Sequence, residues 1–307
     1  MTVVPLAERL PPEMFQSELE DAMEPLSHEP LAVAQSALAS HALLVLDSAL
    51  VRLPGRRFGP FDLSLEAGER IAILGPSGAG KSTLLKLIAG ERNTHGGAVR
   101  LDGCALHEWA PAALARRRAV LPQSHAVAFG MPVELVVSLG RIACEPDPEQ
   151  AAIVADALVA AQAVQLIGRR FDTLSGGEQA RVQLARLLAQ LWDVRAGLLL
   201  VDEPLSALDP GLQFELMDAM QAFARERGHA LIAVLHDINQ ALAHFDRLWL
   251  VRDGQLIADL AAGRTALPWL EQLYGIALTG VEDEAGQLAV LARRRRSPVP
   301  QALTASA

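Results

Sequence analysis

Between about residue 41 and residue 292, short apolar runs alternate with longer stretches of helical period, the pattern of an α/β core around a mainly parallel sheet. Three runs read as fully buried strands: RIAIL at 70–74, LLLV at 198–201 and ALIAVL at 230–235. Each ends on a chemically loaded residue or loop, as expected where parallel strands deliver their carboxyl ends to a ligand crevice. From residue 124 to about 173 the signal turns helical, strongest at 151–166, where an Ala-rich stretch lies between Pro148 and Gly168. A helical insertion, about 124–180, therefore interrupts the sheet domain. Apolar runs at 248–251 and 255–257, joined by Asp253-Gly254, predict a hairpin with a two-residue turn, and 276–281 with 287–291 predict a second. Prolines at 5, 11, 12, 25 and 30 make residues 1–40 a flexible extension. Residues 293–307 open with Arg293, Arg294, Arg295 and Arg296 and read as a solvated, disordered basic tail, contact with lipid headgroups being the alternative.

With 307 residues, 51% of them hydrophobic, there is ample material for one large core. A formal charge of −9 repels nucleic acid and anionic lipid, which sets a nucleic-acid-binding role at a disadvantage. Cys104 and Cys144 have no CxxC spacing and no neighbouring His cluster, so they read as reduced thiols rather than a disulfide or zinc framework. No stretch approaches the roughly 20 apolar residues that cross a bilayer. The first fifteen residues lack a basic start, a continuous apolar block and a cleavage site, so no secretory signal is expected and any membrane role falls to partner subunits.

Gly75-Pro76-Ser77-Gly78-Ala79-Gly80-Lys81-Ser82 fits GxxxxGK[ST], directly after an apolar strand and before the helix expected from Thr83. The glycines let backbone N–H groups close around phosphate, and the helix N-terminus adds about half a positive charge at the same point. Lys81 is then expected to bridge the β- and γ-phosphates of ATP, and Ser82 to take a place on Mg²⁺. Opposite it, the strand ending in Asp202-Glu203-Pro204 supplies two acids with separate tasks: Asp202 reaches Mg²⁺ through a water, and Glu203 polarises the water that attacks the γ-phosphate. These motifs specify a P-loop NTPase without fixing the class.

Leu174-Ser175-Gly176-Gly177-Glu178-Gln179, running on into ARVQLAR, resembles the signature of the ATP-binding cassette (ABC) family. Ser175 and two glycines at a helix start form a second phosphate cradle. The resemblance implies that this cradle binds the γ-phosphate of ATP held by a second copy of the chain, hence an ATP-sandwich homodimer. It also implies a Q-loop role for Gln123, on Mg²⁺ and the attacking water; a D-loop at Ser206-Ala207-Leu208-Asp209; and a γ-phosphate contact for the switch residue His236. The catalytic set is thus Glu203, His236 and Gln123, and the metal set Ser82, Gln123 and Asp202. One departure is the lack of an aromatic residue about twenty positions before the P-loop, which leaves Arg52 or Leu53 to cover the base. Leu205 stands where Thr is frequent.

The resemblance covers roughly residues 41–275. It implies an ABC-type core with a mixed, mainly parallel sheet, an antiparallel β part and the inserted helical subdomain. One cassette with neither membrane segments nor sustained heptads points to a bacterial-type importer subunit at the cytoplasmic side of the inner membrane. Its expected partners are two integral membrane permease subunits and, indirectly, a substrate-binding protein. The rival class is a soluble, non-transport ABC ATPase. VQLARLLAQLW at 182–192, LHDINQALAHFDRLWLVRDGQL at 235–256 and Leu273-Tyr274-Gly275 resemble the subfamily serving iron compounds and cobalamin, its heme importer ATPases above all, with another small solute as the alternative.

Overall fold

The computed structural model describes residues 42–122, 130–144, 146–203, 208–282, 284 and 286–294. The chain opens with an antiparallel hairpin of β1 (Leu44–Leu53) and β2 (Arg56–Leu65), followed by β3 (Arg70–Leu74), α1 (Lys81–Ile88), β4 (Gly96–Leu101) and the short β5 (Cys104–Ala105). Next come α2 (Pro111–Ala115), β6 (Arg118–Leu121), and the helices α3 (Val133–Ser138), α4 (Gln150–Ala160) and α5 (Gly176–Gln190). The chain then returns to the sheet through β7 (Leu198–Asp202), α6 (Pro210–Arg227), β8 (Ala230–Val234), α7 (Ile238–His244) and the hairpin β9 (Arg247–Arg252) with β10 (Gln255–Ala261). It closes with α8 (Leu267–Tyr274) and a second hairpin, β11 (Ile276–Glu282) with β12 (Leu288–Arg294).

The central sheet runs β10-β9-β3-β8-β7-β6, parallel from β9 to β6 with β10 antiparallel at one edge. A four-stranded antiparallel sheet, β2-β1-β4-β5, packs on one face. The two-residue period of a strand decides which residue faces which layer. Ala72, Leu74, Leu199, Val201, Leu231 and Ala233 belong to the core shared with α3 to α6 and α8, whereas Ile71, Ile73, Leu198, Leu200, Ile232 and Val234 belong to the core shared with α1 and the antiparallel sheet. Covered on both faces, these strands need unbroken apolar sequence.

Both expected hairpins form, and the Asp253-Gly254 turn has φ of 50° and 82°, the two positive values that a right-twisted hairpin requires. The helix expected over 151–166 is shorter: α4 stops at Ala160, Gln162 turns to φ 52°, and a 3₁₀ turn occupies Val164–Leu166. The turn lets Ala161, Ala163 and Leu166 all reach the core, which a continued helix could not do. β12 includes Arg293 and Arg294, two positions of the run expected as tail; the rest of that tail and the N-terminal extension lie outside the described residues.

The segment after α3 is tied to the end of α5 by Arg141, only 2% exposed. Its guanidinium donates to Asp147 at 2.7 Å, to Asp193 at 2.7 Å and to the Ala189 carbonyl at 3.2 Å. No helix among the described residues is long and apolar enough to cross a membrane.

Candidate nucleotide site

β3 delivers its carboxyl end into the loop of residues 75–80, and α1 starts at once from Lys81. Gly78 and Gly80 adopt φ of 75° and 106°, left-handed conformations that only glycine takes without strain. Space dictates glycine as well: a Cβ at Gly75 would stand 2.1 Å from the Val251 carbonyl oxygen, and one at Gly80 2.7 Å from the Phe58 ring. The loop is held from below by the β9–β10 turn, where the Gly254 N–H donates to the Ala79 carbonyl at 2.8 Å. Pro76, Ser77 and Thr83 complete the expected cradle; Ser77 and Gly78 are exposed at its tip, and Ala79 is buried beneath.

Lys81 is 4% exposed and its Nζ donates to the Gly75 and Pro76 carbonyls at 2.9 and 3.2 Å. Burial lowers its pKa, against the opposing pull of Glu203 and Asp202. The ammonium is therefore poorly solvated and satisfied by neutral oxygens, an arrangement that an arriving polyphosphate improves on.

The Ser82 hydroxyl donates to Asp202 Oδ1 at 2.9 Å, joining α1 to the end of β7. Asp202, 6% exposed, has its pKa raised by burial, with the Glu203 charge adding to the rise and the Ser82 hydrogen bond opposing it. Two hard oxygen donors side by side, one of them a buried carboxylate with a second carboxylate adjacent, suit Mg²⁺. Gln123, the third expected ligand, lies outside the described residues.

Glu203 follows directly at φ 49°, a left-handed conformation rare for a non-glycine residue and frequent where a functional side chain is re-aimed. Its Oε1 lies 2.6 Å from His236 Nε2. His236 stands just beyond β8, the neighbour of β7, so two adjacent parallel strands bring together residues 33 positions apart. Asp237 then caps α7, accepting from the Asn239 N–H at 2.7 Å.

The signature segment forms the start of α5. Ser175 is the N-cap, its hydroxyl accepting from the Glu178 N–H at 3.3 Å while Glu178 Oε2 accepts from the Ser175 N–H at 2.8 Å, a reciprocal capping box. Leu174 is buried, Ser175 and Gly176 are exposed, and Gln179 donates to the Leu174 carbonyl at 3.1 Å. A Cβ at Gly177 would meet Leu212 at 2.6 Å, so this helix start rests against the first turn of α6. That turn is capped by Asp209, which accepts from Leu212 N–H at 3.0 Å. Leu208 precedes it; Ser206 and Ala207, the first half of the expected D-loop, lie outside the described residues, as do Pro204 and Leu205.

Phosphate loop, acid pair and His236 thus come together at one end of the sheet. Sequence reasoning missed three contacts there. Arg56 reaches the loop, donating to the Gly78 carbonyl at 3.0 Å with its guanidinium 5.2 Å from the Phe58 ring. Phe58 packs against Gly80. The Tyr274 hydroxyl accepts from the Gly75 N–H at 3.0 Å. The lone Tyr-Gly at the end of α8 was the available signal for the last.

The ABC transporter family profile matches residues 58–206. Among curated relatives, the chain is 48% identical over 196 residues to a hemin import ATP-binding protein HmuV of Pseudomonas aeruginosa, covering 63% of this chain and 76% of that one. Proteins of the same name from Pseudomonas fluorescens and Rhodopseudomonas palustris are 44% and 41% identical, covering 75% and 81% of this chain and 92% and 94% of theirs. Two solved structures share the fold: a Clostridium perfringens component of the ABC transporter complex cbiONQ, and an ATP-binding cassette of an ABC transporter in its ADP conformation. Their TM-scores are 0.65 and 0.66 at 23% and 20% identity, over 76% and 77% of this chain and 93% and 98% of theirs. With relatives at 41 to 48% identity matched over 76 to 94% of their length, the chain belongs to the ABC transporter family, as an ATP-hydrolysing subunit.

Proposed function

We propose that this chain powers uptake of heme or a related iron chelate or cobalamin, working as one of two copies beneath two membrane permease subunits at the cytoplasmic face of the inner membrane. The observation that carries the catalytic part is the 2.6 Å approach of His236 to Glu203, beside the Ser82–Asp202 pair and the Lys81 loop. The cargo reading is supported by the relatives named hemin import ATP-binding protein.

In this reading ATP enters with its β- and γ-phosphates on the N–H groups of residues 78–83, and Lys81 leaves the Gly75 and Pro76 carbonyls for phosphate oxygens. Ser82 and Asp202, with Gln123 as a further ligand, would hold Mg²⁺, which when bound would supply charge neutralisation for the phosphates. Glu203 accepts a hydrogen bond from the attacking water and polarises it in line with the γ-phosphate. His236, released from Glu203 by that water, donates to the γ-phosphate. The exposed Ser175 hydroxyl and the Gly176 and Gly177 N–H groups receive the γ-phosphate of the partner copy's ATP, with Leu208 and Asp209 beside the same interface. The ABC ATPase domain runs from residue 41 through the end of β12 at Arg294, two residues further than the sequence-based boundary of 292, with the helical subdomain of 124–180 transmitting closure to the permeases.

The test is turnover by the purified chain with Mg²⁺ and ATP, followed by reconstitution with its permeases in heme-containing vesicles. Wild-type protein is expected to hydrolyse ATP and drive heme uptake, and Lys81→Ala to do neither. Hydrolysis coupled to another solute would retain the ATPase and overturn the cargo. No hydrolysis in either setting would overturn both.

A further inference from the structure

The phosphate loop has a root as well as a tip, and the root is held by a residue 199 positions away. Gly75 is buried, and its N–H is taken up by a side chain from outside the loop. The acceptor is the Tyr274 hydroxyl at 3.0 Å. The other polar group of Gly75, its carbonyl, is the nearer anchor of Lys81 at 2.9 Å. One residue of backbone therefore links Tyr274 to the lysine that must meet the nucleotide.

The contact is built rather than incidental. Tyr274 is the last residue of α8, and Gly275 ends that helix at φ 67°. Leu270 and Leu273, 0% and 4% exposed, seat α8 in the core that includes Leu74, the residue before the loop. Glu271 accepts from the Leu278 N–H at 2.6 Å and holds α8 to β11. Burial pushes the Tyr274 phenol up to about 12, so the hydroxyl is neutral wherever the protein works. From the same C-terminal unit, Val290 of β12 exchanges two hydrogen bonds with the Asn239 side chain, at 2.7 and 3.2 Å, on α7 just after His236.

We propose that Tyr274 is a positioning residue of the ATPase site, fixing the root of the phosphate loop through Gly75 so that Lys81 is presented to the nucleotide. The inference rests on the nucleotide-site reading above and extends it to a residue beyond the motifs. Without the hydroxyl, a buried N–H loses its partner, and the loop must shift to recover one. The shift carries the Gly75 carbonyl and Lys81 with it.

Tyr274→Phe keeps the ring and removes only the hydroxyl. Titration with a fluorescent ATP analogue is expected to show affinity reduced about fivefold to tenfold, with kcat at saturating ATP within about twofold of wild type. Wild-type affinity in the variant overturns the proposal, and so does lost kcat with unchanged affinity, which is how a merely structural residue behaves. A second measurement does not depend on the variant folding. Tyr274 is the only tyrosine in the chain, so growth on 3-fluorotyrosine gives one ¹⁹F resonance. That resonance is expected to move when ATP saturates the wild-type protein, and a static line overturns the proposal. Wild-type protein that binds no ATP refutes the nucleotide site itself, a separate failure seen in the same titration.

Discussion

His229 gives the sharpest test of how the strands that carry Glu203 and His236 are held. It precedes β8, is 1% exposed, and its Nδ1 accepts from the Gly197 N–H at 2.8 Å, just ahead of β7. Its ring lies 5.2 Å from that of Phe223. Burial, with Arg227 nearby, lowers its pKa from 6.5 to about 4, so the folded protein keeps it neutral. Above pH 6.5 both folded and unfolded forms are neutral and the contribution is fully present. As pH falls from 6.5 towards 4 the unfolded chain binds a proton that the folded chain refuses, and stability is lost. Between pH 7.5 and 4.5 the loss from this group is on the order of 2 to 3 kcal/mol, from the two pKa values. His229→Asn keeps an acceptor for Gly197 and cannot titrate. Urea unfolding at both pH values is expected to show a drop smaller by about 2 kcal/mol in the variant than in wild type, although the variant starts less stable through loss of ring packing. Equal drops would refute the reasoning.

Arg141→Ala strands the buried Asp147 and partly frees Asp193, and is expected to cost about 3 kcal/mol by urea unfolding, at the low end for a broken buried pair because Asp193 is 38% exposed; a loss under about 1 kcal/mol would show the pair to be dispensable. Lys81→Ala is expected to weaken ATP binding at least about 100-fold in an equilibrium titration. Ser175→Arg is expected to leave that binding within about threefold while turnover falls more than about 100-fold, as the proposed role of the serine on the partner's nucleotide requires. If Ser175→Arg instead weakens binding as much as Lys81→Ala, the signature serves its own chain.

The elements legible in the sequence were those whose signal is local. The 70–82 strand, loop and helix, the LLLVDE strand end and the Asp253-Gly254 turn each announce themselves within a few residues, because burial on both faces and left-handed turns restrict composition. Contacts across the fold were not legible. Nothing near Gly75 indicates that its N–H is met by residue 274, nor that Arg56 bends back to Gly78 while Arg52 stays exposed. The overlong helix at 151–166 has the same origin: alanine propensity favours continuation, while burial of Ala161, Ala163 and Leu166 demands a turn. The left-handed backbone of Glu203 was likewise hidden, since an acid after an apolar run is equally compatible with an extended one.

The central claim is that two copies close on ATP, each phosphate loop facing the other's signature. The direct measurement is the mass in solution of Glu203→Gln, expected to bind ATP without hydrolysing it, in the presence of ATP and then of ADP, with the permeases supplied. Pairs of this chain locked by ATP and released by ADP are the expected result. A mass and nucleotide stoichiometry that do not change between the two nucleotides would contradict it.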